Sequence, residues 1–206
     1  NATYTDESGV PIRSGISNAH IHNCDIGSNV VICNIGHYIA NFRIGDNVVI
    51  RNCSKIHTEG MSTFGNGTKV AVLNETGGRT VMIWDKLSAH EAYIIALYRH
   101  RYKAILNMEK MVSDYSASIR SGMGYIGDGS TIISCRNIKN VRIGPHTRID
   151  GAINLYEGSI NSCVEDPVFI GPGVIMEHFI VCSGSIITES TLIDKCFVGQ
   201  GCVLGK

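Results

Sequence analysis

Eight histidines and a basic–acidic set in the middle of the chain are the residues whose types could do chemistry. An imidazole titrates near neutrality, so it can take a proton from a hydroxyl or amine and hand it on. The eight are His20, His22, His37, His57, His90, His100, His146 and His178. His57 stands where a repetitive segment gives way to a different one, at the wall of any cleft formed there. His90 and His100 fall on an expected helix. These three are the candidate general bases, although spacing alone sets none of them opposite an acceptor. A structural or solvent-facing role is the competing reading for each. Arg99-His100-Arg101 is a basic cluster, Arg79 follows a glycine pair and Glu75 precedes it. Guanidinium forks beside an imidazole can hold a phosphate or carboxylate through paired hydrogen bonds. Glu75, Arg79, Arg99 and Arg101 are therefore the candidate binding set. On one continuous helix Arg99 and Arg101 would point about 200° apart. A solvated helix face with a hairpin salt bridge accounts for the same residues.

Other chemistries are poorly served. None of the eight cysteines forms a C-x-x-C pair, so no zinc ribbon and no metal site are expected. The cysteines read instead as small reduced core residues of a cytoplasmic protein. Gly122-Met123-Gly124-Tyr125-Ile126-Gly127 matches G-x-G-x-x-G, yet strand-like repeats follow it where a dinucleotide fold needs a helix. Lys plus Arg and Asp plus Glu both number 18, so no broad nucleic-acid surface is expected. No run of about twenty apolar residues is present to span a membrane, and no signal peptide is visible.

The elements that position these residues are set by a repeat. Ile26, Ile32, Tyr38, Ile44, Ile50 and Ile56 recur every six residues, and Ile26-Gly27-Ser28-Asn29-Val30-Val31-Ile32 returns as Ile44-Gly45-Asp46-Asn47-Val48-Val49-Ile50. A six-residue period is the signature of a parallel β-helix, with one short strand and one corner per hexapeptide. Three hexapeptides close one triangular coil. A single coil cannot bury its inner face, so coils must stack.

The beat runs over 1–61, stops, and resumes over 123–206 at Ile126, Ile132, Ile138, Ile143, Ile149, Leu155, Ile170, Ile180, Ile186, Leu192, Val198 and Leu204. Residues 161–167 are expected to loop out. Between the repeats, 62–122 reads as an insertion. Lys69–Glu75 and Thr80–Asp85 are strand-like, and Thr76-Gly77-Gly78-Arg79 reads as a hairpin turn. Ser88-Ala89-His90-Glu91 fits a capping box, and apolar spacings of three and four carry one long helix to about Tyr115. The chain stops inside a hexapeptide, as expected of a piece of a longer protein.

The Ile-Gly-x-x-x-x pattern resembles the hexapeptide acyltransferase superfamily. Ser62–Gly67, Asn74–Arg79, Leu87–Tyr93 and Cys196–Cys202 are similar to a family of long bacterial hexapeptide-repeat proteins of unknown function. Its members are labelled sugar-phosphate or nucleotide-sugar transferases. The resemblance implies an all-β-dominated fold: a left-handed parallel β-helix with a β-hairpin plus long α-helix insertion. The handedness comes from the resemblance alone, because the right-handed crossover rule would not choose it. It also implies a homotrimer with sites between prisms, and transfer from an acyl-CoA-type donor to a sugar or sugar phosphate with a histidine base. A non-catalytic scaffold, or a carbohydrate- or protein-binding module, is the alternative.

Overall fold

A computed structural model describes residues 3–5, 9–72 and 78–205. The chain is strand-rich, with 44% strand against 13% helix. Among the described residues, two eight-stranded sheets are parallel, and their neighbours are successive passes of the same chain. Ile126 lies against Ile143, and Ile143 against Ile160, so these passes return at a constant length. Ile21 lies against Ile39, a slightly longer return.

Inward side chains stack in register. One ladder is Ile32, Ile50, Ile132, Ile149, Ile170 and Ile187. A second is Ile39, Ile56, Ile138, Leu155, Met176 and Ile193. A third is Ile44, Ile126, Ile143, Ile160, Val181 and Val198. All are buried in one core. Each such side chain contributes roughly 1.5–3 kcal/mol on burial.

The longer strands serve two walls each. In Asn137–Ile143 the inward residues are Ile138, Val141 and Ile143, so the alternation slips at Asn140. Asn140 has φ 56°, and Glu157, His178 and Lys195 occupy the same bend on later passes at φ 49°, 52° and 48°. A left-handed residue bends the pleat through the corner and shifts the alternation.

This slip corrects the beat in four places. Ile39, not Tyr38, points inward. On the last coils Val181, Ile187 and Ile193 face the core, whereas Ile186 and Leu192 face out. Leu192 is 75% exposed and Ile193 only 6%. A six-residue count cannot register a corner that is longer or shorter than its neighbours, and a slip of one position flips the side chain. The loop over 161–167 is present: Ile149 pairs with Ile170, a longer return than the one from Ile132 to Ile149.

The ladders run straight across the insertion, since Ile44 pairs with Ile126 and Ile56 with Ile138. The inserted hairpin pairs Thr68–Ala71 with Thr80–Ile83. The turn expected at Thr76–Arg79 lies partly outside the described residues, as does Glu75. The expected long helix is two helices, α1 (Ala89–Leu97) and α2 (Tyr102–Ser118). The capping box forms at α1, where Ser88 Oγ accepts from Glu91 N and Glu91 Oε2 from Ser88 N. The break falls at Tyr98–Arg101, because Arg99 donates to the carbonyls of Gly78 and Thr80 and ties the turn to the hairpin. α1 buries Ile95 and Ala96 against the hairpin, while α2 buries Ile105, Val112 and Ser116. No helix among the described residues is long and apolar enough to cross a membrane.

The insertion is docked by its first turn and by the segment after its hairpin. Ser159 Oγ donates to Phe64 O (2.7 Å), Ser62 Oγ to Glu157 Oε2 (2.7 Å), and Asn161 Nδ2 to Asp85 O (3.4 Å). Gly65 sits at φ 81°, and a Cβ there would meet Phe179 O at 2.7 Å and Glu157 O at 3.0 Å. Gly65→Ala is expected to cost about 2 kcal/mol or more from the left-handed backbone and the clash together. Hydrogen exchange should accelerate over 62–67 while the inward ladders stay protected; unchanged exchange in the insertion would contradict the docking.

Candidate functional site

One outward column of the sheet gathers most of the reactive side chains. His57 pairs with Lys139, Lys139 with Tyr156, Tyr156 with Glu177, and Glu177 with Asp194. Successive rungs of a parallel sheet lie about 4.8 Å apart. Strand alternation explains the column. Each of these residues follows an inward Ile, Leu or Met by one position and so must point out.

A second column runs beside it. Lys55 lies opposite Asn137, and Asn137 opposite Asn154. Asn137 Nδ2 donates to Asn154 Oδ1 at 2.7 Å, and Asn154 Nδ2 to Glu177 Oε1 at 3.1 Å. The amide chain thus fixes the Glu177 carboxylate.

His178 joins from the corner. Its left-handed backbone swings the ring toward the column, edge-on to Tyr156 with centroids 5.5 Å apart. Its Nδ1 faces Asp194 Oδ1 at 3.6 Å. No hydrogen bond among the described residues occupies Nε2, which is therefore available to take a proton. At that distance Nδ1 makes no hydrogen bond among the described residues, so Asp194 orients the ring by proximity alone. Donor atoms of Glu177, His178 and Asp194 all lie within 4.8 Å of one another. That trio is the group in the column with donors suited to a divalent cation. Cysteine spacing could not have found it.

His57 occupies the other end of the wall. It is only 6% exposed, and its Nδ1 has no hydrogen-bond partner. The Tyr38 ring stands edge-on to it at 5.8 Å, and Lys55 lies over that ring at 5.0 Å. Burial, helped by the Lys55 and Lys139 charges, lowers the His57 pKa to about 4, against a smaller opposing pull from Glu59. His57 is thus a neutral imidazole at neutral pH. Lys139 pairs with Glu59 and lies 5.7 Å from the Tyr156 ring centre. That pairing holds the exposed Glu59 carboxyl below its usual range.

The other expected site residues do not converge on this wall. His90 and Arg101 line a cleft of about 410 Å³ between the helices, with Tyr93 and Tyr98. His100 lies 5.8 Å from Tyr98. Arg99 is used as a tie to the hairpin, and Arg79 is exposed on it. Arg99 and Arg101 of the expected binding set therefore face different surroundings, and Glu75 lies outside the described residues. The helix break turns Arg99 to the hairpin and Arg101 to the cleft. No local sequence signal marks His178; its partners Tyr156 and Asp194 come from the preceding and following passes of the chain.

His57 gives the wall a pH signature. An unfolded chain protonates this residue near pH 6.5, the folded chain only near 4. Between those values the unfolded state binds more protons, so stability present above pH 6.5 falls as the pH is lowered. At pH 4.5 the loss is expected to be about 2 kcal/mol. His57→Gln should remove that component, as read by urea unfolding of both proteins at pH 7 and pH 4.5. An unchanged difference between the two pH values would refute it.

The whole chain, residues 1–206, matches the family model described as a domain of unknown function, DUF4954. An uncharacterized protein of Treponema pallidum (strain Nichols) is 31% identical over 183 residues, covering 82% of this chain and 25% of that protein. The chain thus spans about a quarter of the length of that relative. No solved structure matches. With its full length matched, the chain belongs to the DUF4954 family, a domain of unknown function.

Proposed function

We propose that this chain is a left-handed parallel β-helix of the hexapeptide-repeat class that transfers an acyl group to a sugar, sugar phosphate or nucleotide sugar. His178 is the general base and Asp194 its positioning residue. The observation that carries this reading is the approach of His178 Nδ1 to Asp194 Oδ1 at 3.6 Å beside Tyr156 and Glu177. Tyr156 offers an aromatic face for a sugar ring, while Asn154 and Glu177 offer hydrogen-bonding groups for its hydroxyls. The acceptor oxygen or nitrogen attacks the carbonyl of an acyl thioester, and its proton passes to His178 Nε2. The carbon–sulfur bond breaks and the departing thiolate takes that proton. Stacked returns of nearly constant length, with left-handed corners, support the coil class.

A homotrimer with the wall facing a neighbouring copy belongs to this reading; a solution mass near 22.3 kDa would contradict it. A non-catalytic carbohydrate-binding wall is the second reading, favoured by the open, ladder-like spacing of Tyr156, Asn154 and Glu177.

The two readings separate in a transfer assay with acetyl-CoA and a panel of sugar phosphates and nucleotide sugars, using the full-length protein. His178→Asn is expected to lower kcat/KM by about 10²–10⁴ with sugar binding retained. Asp194→Asn should lower it less. Sugar binding with no turnover in the native protein would favour the binding wall and sink the transferase.

A further inference from the structure

Around the corner from the proposed base, a different column carries two arginines about an aromatic ring. Tyr125 pairs with Arg43 on one side and Arg142 on the other. The three residues follow inward-facing positions and point outward. Rung spacing puts the two arginine Cα atoms about 10 Å apart. That separation lets two long side chains converge on one group above the ring. They line a cleft of about 430 Å³ where the sheet meets the end of the insertion, together with Ser121 and Met123.

The charges in this cleft are not balanced by its lining, which includes no carboxylate. Asp25 pairs with Arg43 at 3.4 Å, but both side chains remain largely exposed, at 72% and 68%. Arg142 has no ion pair or hydrogen bond among the described residues. The C-terminal end of α2 borders the cleft through Ile119, and a helix C-terminus attracts cations. Two of its last four carbonyls are already taken. Tyr115 O accepts from Ile119 N and Ser118 Oγ, and Ala117 O from Arg120 N. Neither Arg43 nor Arg142 bonds a carbonyl of that helix end among the described residues. Guanidinium forks match the oxygens of a phosphoryl group, and the Tyr125 hydroxyl is a further donor. A cleft of this volume suits a ligand the size of a sugar phosphate.

We propose that Arg43, Tyr125 and Arg142 form a binding site for the phosphoryl group of a sugar phosphate or nucleotide sugar. The phosphoryl part stands on this cleft alone; the sugar part rests on the function proposed above.

Isothermal titration of the full chain with inorganic phosphate, glucose 1-phosphate and UDP-glucose, without acyl donor, tests both parts. Saturable binding of at least one sugar-bearing probe is expected, tighter than inorganic phosphate and weakened by added salt. Arg142→Gln and Arg43→Gln should each weaken it at least tenfold, and Tyr125→Phe less. Arg120→Gln, whose guanidinium bonds Met61 O, should leave it unchanged. Circular dichroism of the exposed-arginine variants controls for folding. Absence of binding by all three probes, or equal affinity in native protein and Arg142→Gln, overturns the site. Phosphate binding as tight as both sugar probes keeps the phosphoryl site and overturns the sugar. Because no donor is present, failure of the transferase reading leaves these outcomes intact.

Discussion

The two parallel sheets depend on in-register stacking of aliphatic side chains between successive passes of the chain. A single pass leaves its inner face and its strand edges exposed. The next pass covers both at once, through parallel backbone hydrogen bonds and through contact such as Ile138 on Leu155. Dispersion and water exclusion reward the match only when the rungs align. The stack therefore tolerates a long excursion, provided that the chain re-enters at the next rung. Residues between Ile56 and Ile138 leave and return without disturbing that ladder.

That constraint also organises the outer surface. When inward positions are locked, the residues between them have no freedom of direction. His57, Lys139, Tyr156, Glu177 and Asp194 become neighbours although they are scattered over much of the chain. Corners add a second element. Asn140, Glu157, His178 and Lys195 share one left-handed corner, yet they differ chemically. Asn140 and Glu157 fasten the insertion, since Asn140 Nδ2 donates to Glu157 Oε1 and Ser62 Oγ to Glu157 Oε2. His178, one coil on, is left for the open wall. The same backbone feature thus docks the insertion at one level and presents an imidazole at the next.

The insertion follows a different logic. Its hairpin and α1 share a small core around Val81, Ile95 and Ala96. It holds to the coil by polar groups of the 62–67 turn, with Trp84 against Tyr115 at 5.2 Å bracing its interior. Arg99, which looked like a ligand-binding cation beside His100 and Arg101, is a structural tie. The cleft arginines are instead Arg43, paired with Asp25, and Arg142, on the sheet itself.

The period, the parallel stacking, the interruption near residue 62 and the capping box at Ser88 are all legible in the chain before it folds. These are local or strictly periodic signals, and each follows from spacing. Which residue of Tyr38–Ile39, Ile186–Ile187 or Leu192–Ile193 faces inward is not legible there. A corner that lengthens or shortens by a single position reverses the pleat without changing the composition. The candidate site is hidden for the same reason. His57 was visible because it borders the break, whereas His178 acquires its meaning from Tyr156 and Asp194 on neighbouring coils. That pairing exists in the folded coil alone, because rung-to-rung contact depends on the return length of each coil, a quantity set by corner geometry and by the loop over 161–167.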